Sequence, residues 1–155
     1  MAATSVDFVT AGQAFHWFDL DKARREFRRI LKPSGWVALV WNKRRGESYP
    51  LGAGYEKLIE TYGVNYENVT HKQLGDEIIR AFLDQAFEVE TFENGQSFDF
   101  EGFKGRLLSS SYAPEVGQPG HEPMLVELRR IFDEHQVAGR VDFLYETKLY
   151  YGRLE

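Results

Sequence analysis

The sequence predicts an α/β domain: a sheet of about four strands with helices packed against it. Three observations carry that reading. Two short apolar runs, Val6–Ala11 and Trp36–Trp41, flank a segment with helical periodicity. The first, with its one Asp, reads as a buried strand, and the second does not alternate, which marks a strand covered on both faces, as in a parallel sheet. Near the end, Val141, Phe143, Tyr145, Thr147, Leu149 and Tyr151 recur at every second position, the period of a strand with two unlike faces.

The elements follow in order. Val6–Ala11 ends at Gly12. Asp19 or Asp21 is placed to cap the next helix, since a carboxylate accepts from the free amides of a first turn. Ala23, Phe27, Ile30 and Leu31 then share one helical face, and Arg24, Arg25, Arg28 and Arg29 take the others. Lys32-Pro33-Ser34-Gly35 is expected to stop that helix as a turn before the strand Trp36–Trp41. Residues 44–54 read as a loop, with Lys43, Arg44 and Arg45 solvated within it. Tyr55, Leu58, Ile59 and Tyr62 mark a short helix. Thr70 and Gln73 have capping-box spacing before a second helix carrying Leu74, Ile78, Ile79, Phe82 and Leu83. Phe87–Phe92 is a strand, Asn94-Gly95 a turn, and Ser97–Phe100 a second arm. Phe103, Leu107 and Leu108 predict a helix. Pro123 suits the first turn of another, continued by Leu125, Leu128, Ile131, Phe132 and His135.

The chain of 155 residues fits a single domain, residues 1–155, and its 43% hydrophobic content supports a real core. A net charge of -5 without a broad basic patch argues against nucleic acid as partner. No run approaches the roughly 18 apolar residues of a membrane span. With no cysteine there is neither disulfide nor thiolate metal site, which suits a cytoplasmic protein. His16, His71, His121 and His135 are widely spaced and form no HxxxH pair, so no metal is expected.

Two segments carry a resemblance. SVDFVTAGQAFHWFD with the following LKPSGWVALVWN is one; GRLLSSSYAP, Gly105–Pro114, is the other. Together they resemble a class I methyltransferase dependent on S-adenosylmethionine (SAM), of the type 11 group and similar to the trans-aconitate methyltransferase-like proteins. The resemblance implies a partial Rossmann-like fold, with two parallel strands and a terminal antiparallel pair in a mixed sheet. Val6–Ala11 would be the family's fourth strand and Trp36–Trp41 its fifth. Phe87–Phe92 would be the sixth, and Val141–Tyr151 the seventh, inserted beside the fifth. It also implies SAM as cofactor and a small molecule as methyl acceptor. The family's glycine-rich loop does not occur in this sequence, which holds no Gly-x-Gly-x-Gly. Met1-Ala2-Ala3-Thr4 is therefore expected to mark a truncated start, leaving a substrate-side half inactive alone.

The candidate site follows from the fold rule and the resemblance together. Ligands of open α/β sheets bind at the carboxyl ends of the strands. Thr10, Ala11, Gly12, Gln13 and Ala14 lie at such an end, and the resemblance places them beside SAM. His16, whose ordinary pKa lies near 6.5, is the candidate general base or substrate-orienting group, or else a hydrogen-bonded histidine beside Trp17. Trp17 and Trp41 could wall a pocket or belong to the core. Asn42 could bind substrate or cap a turn. Arg106 and Tyr112 could hold an acidic substrate group, with a structural salt bridge as the alternative for Arg106. An unpaired Val6–Ala11 edge would invite a partner strand, either as a homodimer or from a complementing N-terminal half. A non-catalytic association module is the competing reading.

Overall fold

A computed structural model describes residues 1–66, 75–83 and 87–154. Its strands are β1 (Val6–Gly12), β2 (Leu31–Arg44), β3 (Phe87–Phe98) and β4 (Val141–Gly152). Its helices are α1 (Leu20–Ile30), α2 (Pro50–Tyr62), α3 (Asp76–Phe82), α4 (Phe100–Leu108) and α5 (His121–His135). The strands form one mixed sheet in the order β1-β2-β4-β3. The last strand in sequence thus lies beside β2, the arrangement expected from the resemblance. The chain divides into two compact units, Met1–Lys43 with Thr70–Phe92 and Thr147–Glu155, and Arg44–Val69 with Glu93–Glu146.

In the first unit β1 and β2 run parallel, with Phe8 opposite Trp36 and Gly12 opposite Val40. Below that stretch Val6 faces Leu31, so β1 advances from residue 6 to 8 while β2 advances from 31 to 36. The segment expected as a separate turn, Lys32–Gly35, is therefore an irregularity inside β2. Pro33 has no N–H to give to a ladder, which favours such a bulge. The Lys32 ammonium pairs with the Asp7 carboxylate at 2.9 Å across it. Asp19, not Asp21, caps α1, accepting from the Lys22 amide at 3.1 Å. The apolar face of α1 works as its spacing predicts. Ala23, Phe27 and buried Ile30 face inward, and Phe27 meets Phe82 edge-on at 5.7 Å. Phe15, Val37, Leu39, Ile79 and Phe82 complete this core. The predicted cap at Thr70 and Gln73, and Leu74 after it, lie outside the described residues.

The second unit packs α2, α4 and α5 around the first half of β4. Val141, Phe143 and Tyr145 point inward from β4, against Tyr55, Leu58, Phe103, Leu107, Leu128 and Ile131. Asp99 caps α4 by accepting from the Gly102 amide at 2.8 Å. Two expectations fail here. Asn94-Gly95 is no hairpin turn: β3 runs through it without a break, and neither residue takes the positive φ that such a turn needs. Gly95 serves close packing instead, since a Cβ there would lie 3.3 Å from Leu144 Cδ2. The stretch 44–54 is also not one loop. Arg44 closes β2, a single helical turn spans Gly46–Ser48, and Pro50 opens α2 at its first position.

Gly52 is where α2 and the turn before it touch. A Cβ on it would lie 2.1 Å from the Gly46 carbonyl oxygen and 2.4 Å from the Tyr49 ring. Glycine to alanine inside a helix normally stabilises by about 0.5–1 kcal/mol. Here Gly52→Ala is expected to destabilise by about 2 kcal/mol, because backbone must shift to admit the methyl. Urea unfolding of the two proteins measures this; an unchanged or higher midpoint would show that the turn is not packed on Gly52.

Candidate functional site

In the first unit the parallel pairing brings the carboxyl ends of β1 and β2 to one edge. Thr10, Ala11 and Gly12 lie opposite Ala38, Leu39 and Val40. Ala11 is buried, while Thr10 and Gly12 are exposed, and a Cβ on Gly12 would meet nothing within 4 Å. The backbone at Gly12 is thus open to approach. Gln13 then takes a left-handed φ of 51° and turns the chain out of the strand. Its own amide donates to the Val40 carbonyl at 3.0 Å. Its side chain repeats a strand's pairing: Oε1 accepts from the Asn42 amide at 2.6 Å, and Nε2 donates to the Asn42 carbonyl at 3.5 Å. Asn42 lies inside β2, so it caps no turn; its Oδ1 accepts from the Thr147 hydroxyl at 2.6 Å. Ala14 leads into a 3-10 turn, Phe15–Trp17, and its carbonyl accepts from the Trp17 amide.

That turn sets His16 between two indoles. Its ring centre lies 4.6 Å from that of Trp17 and 5.1 Å from that of Trp41, the latter edge-on. Nδ1 is buried and has no hydrogen-bond partner among the described residues. Burial lowers the His16 pKa from its ordinary 6.5, so the imidazole is neutral at pH 7 and able to accept a proton. Trp17 is 76% exposed, which places it outside the core. Trp41 is half-buried.

In the second unit Arg44 and Arg106 sit among tyrosines. The solvated loop expected for Arg44 is corrected: its side chain is only 14% exposed and pairs with Glu56, itself 17% exposed, at 2.8 Å. Arg44 also donates to the hydroxyls of Tyr112 at 2.8 Å and Tyr66 at 3.0 Å, and Tyr66 in turn donates to Glu56 at 3.0 Å. Burial works against the Arg44 charge, but the Glu56 carboxylate more than offsets it, and the guanidinium is held above its ordinary range. Arg106 forms no salt bridge among the described residues. It donates from Nε to the Tyr145 hydroxyl at 3.1 Å and from Nη1 to Ser110 Oγ at 3.2 Å. Tyr55 and Tyr145 read only as periodic positions of a helix and a strand, and Glu56 and Tyr66 carry no motif, so sequence reasoning passed over them.

Elsewhere in this unit an open depression of about 590 Å³ lies among Tyr49, Pro50, Ser97, His135 and Arg140, none of them a predicted site residue. Among the described residues no group of three His, Asp or Glu side chains could hold a metal ion, and no helix is long and apolar enough to cross a membrane. His71 lies outside the described residues.

The fold is the α/β fold of methyltransferase structures. A candidate type II methyltransferase from Anaeromyxobacter dehalogenans superposes with a TM-score of 0.60 at 20% identity, covering 99% of this chain and 67% of that one. A candidate methyltransferase of an antibiotic-biosynthesis pathway from Anabaena variabilis gives 0.56 at 19% identity, over 99% and 69% of the two chains. In sequence, the family described as "Methyltransferase domain" matches residues 1–39. An uncharacterized methyltransferase of Schizosaccharomyces pombe is 55% identical over 149 residues, 94% of this chain and 58% of that protein. The chain thus spans little more than half the length of that relative.

Two outcomes test this geometry. An imidazole held below its ordinary pKa resists the proton that the unfolded chain accepts near pH 6.5, so its contribution is present above that pH and is lost as pH falls through it. Thermal unfolding at pH 7.5 and 5.5 should show a larger loss for the parent chain than for His16→Gln; equal losses would place His16 in solvent. Glu56→Gln leaves the Arg44 guanidinium half-buried without its counter-charge and is expected to cost about 2 kcal/mol, below the figure for a fully buried pair. Chemical denaturation reads this, and a loss below about 0.5 kcal/mol would show Arg44 satisfied by the phenols alone.

Proposed function

We propose that this chain forms the acceptor side of a SAM-dependent methyltransferase acting on a small molecule. The observation that carries the reading is the shared carboxyl edge of β1 and β2, where Gly12 leaves backbone open and His16 presents a neutral imidazole against Trp41. The fold shared with methyltransferase structures and the match at residues 1–39 support it.

The residues present fit one flank of such a cofactor. Thr10, Ala11, Gly12, Gln13 and Ala14 form the open strand end along which it would lie, with Gln13 holding that end in shape through Asn42. Bound there, SAM supplies a methyl group on a positively charged sulfur. The chain's own residues position the acceptor and move its proton. His16 accepts the proton that the attacking oxygen or nitrogen gives up, and Trp17 and Trp41 exclude water from the acceptor. Most of the acceleration comes from holding two reactants in line. A glycine-rich segment paired along the β1 edge would supply backbone amides for the methionine end of SAM. That edge is bare in character, with Phe8 63% exposed.

Calorimetric titration with S-adenosylhomocysteine tests this. The chain alone is expected to bind weaker than about 1 mM, and the chain joined to the preceding residues of the S. pombe relative at micromolar strength, a gain of about 4 kcal/mol. In the joined protein His16→Ala should lower the methyl-transfer rate about 100-fold while leaving cofactor affinity intact. Failure of the joined, folded protein to bind the cofactor would overturn the proposal.

A further inference from the structure

Around Arg106 the second unit has too many hydrogen-bond donors for its acceptors. Arg106 uses Nε and Nη1 on Tyr145 and Ser110, and Nη2 makes no hydrogen bond among the described residues. The Tyr145 and Tyr112 oxygens accept from Arg106 and Arg44, so each phenol still has a proton to give. Tyr55 is fully buried, and its hydroxyl has no partner among the described residues. Buried polar groups are nearly always paired, and an unmet one costs about 1–3 kcal/mol. Burial pushes the Tyr55 hydroxyl well above its ordinary range, with Tyr112, Arg106, Arg44 and Tyr145 acting on it in turn, so it stays a proton donor at neutral pH.

These groups share one place. The rings of Tyr55 and Tyr145 both pack on Phe143, at 4.8 and 5.3 Å. The Arg44 guanidinium lies over the rings of Tyr55 and Tyr112, at 5.7 and 5.8 Å. Among the described residues the carboxylate in contact with this group is Glu56, already engaged by Arg44 and Tyr66. Arg44 is thereby neutralised, and Arg106 keeps one uncompensated positive charge.

We propose that Arg106 and the hydroxyls of Tyr55, Tyr112 and Tyr145 form a binding site for a single carboxylate. The match is one of charge and of donors. One uncancelled cation suits one negative charge, and the lone pairs of a carboxylate can take up Nη2 and the spare phenol protons. Inorganic phosphate, a mixture of monoanion and dianion near neutral pH, carries protons of its own and on average more than one charge, so it suits the site less well. The anion site lies within the second unit and does not rest on the function proposed above.

Titration of the full chain with benzoate, followed by NMR at the arginine Nε–Hε resonances, tests the site without any cofactor. Benzoate is expected to shift the Arg106 signal saturably at millimolar concentration. Tyr55→Phe, which removes only the orphan hydroxyl, should weaken binding at least threefold, and Arg106→Gln at least tenfold with calorimetry as readout. Tyr145→Phe provides the second measure should Arg106→Gln fail to fold. The inference is overturned by an absent or unsaturable shift, by equal binding of benzyl alcohol, by tighter binding of inorganic phosphate, or by affinity unchanged in Tyr55→Phe. Each of these can occur whether or not the joined protein binds S-adenosylhomocysteine, so the two proposals fail separately.

Discussion

The half-buried guanidinium of Arg44 organises the second unit. Taking a cation out of water costs several kcal/mol, and the protein meets that cost with a counter-charge and a set of phenol oxygens rather than with solvent. Glu56 comes from α2, Tyr66 from just beyond it, and Tyr112 from the segment after α4. None of these can move without leaving Arg44 short of a partner. The pair also has an electrostatic consequence. Because Glu56 is spent on Arg44, Arg106 has no carboxylate partner among the described residues, and the hydroxyls of Tyr112 and Tyr145 keep a proton to give.

The first unit is organised differently, by a ladder rather than a charge. Parallel pairing of β1 with β2 aligns two carboxyl ends, and backbone turning away there would leave β2 amides without partners. Gln13 resolves this by taking a left-handed backbone and lending its side-chain amide to Asn42. The result is a strand end that is satisfied yet open at Gly12, with His16 delivered by the next turn against Trp41. The edge proposed to line the cofactor and the edge that closes the ladder are the same backbone. The edge that supplies a ligand surface in open α/β sheets is here held in shape by an amide and not by a longer strand.

The fold shared with methyltransferase structures at about one-fifth identity reflects what such a sheet demands: apolar runs of the right length, a helix to cross between them, and a last strand that reaches a central position. Those demands tolerate many sequences. The set of arginines and tyrosines in the second unit answers a different demand, the cost of a cation held away from water.

Local periodicity and capping chemistry were enough to determine much of this protein. The β1–α1–β2 unit, the long alternating strand β4, the cap at Asp19 or Asp21, and the apolar faces of α2 and α5 follow from spacing alone, because those elements are stabilised by residues close in sequence. The strand-end candidates Thr10 to Ala14, with His16 and Trp41, were legible for the same reason: a fold rule ties them to the end of a predicted strand. Tertiary structure decided the rest. Asn94-Gly95 is a strong local turn signal, yet Gly95 packs under Leu144 and the strand continues. Arg44 sits in a basic run that reads as solvated, yet its charge is met by residues 12, 22 and 68 positions away. Pairing of that kind has no period and no motif. It is a matter of which donors lack acceptors once the chain has closed on itself, and only the folded arrangement sets that balance.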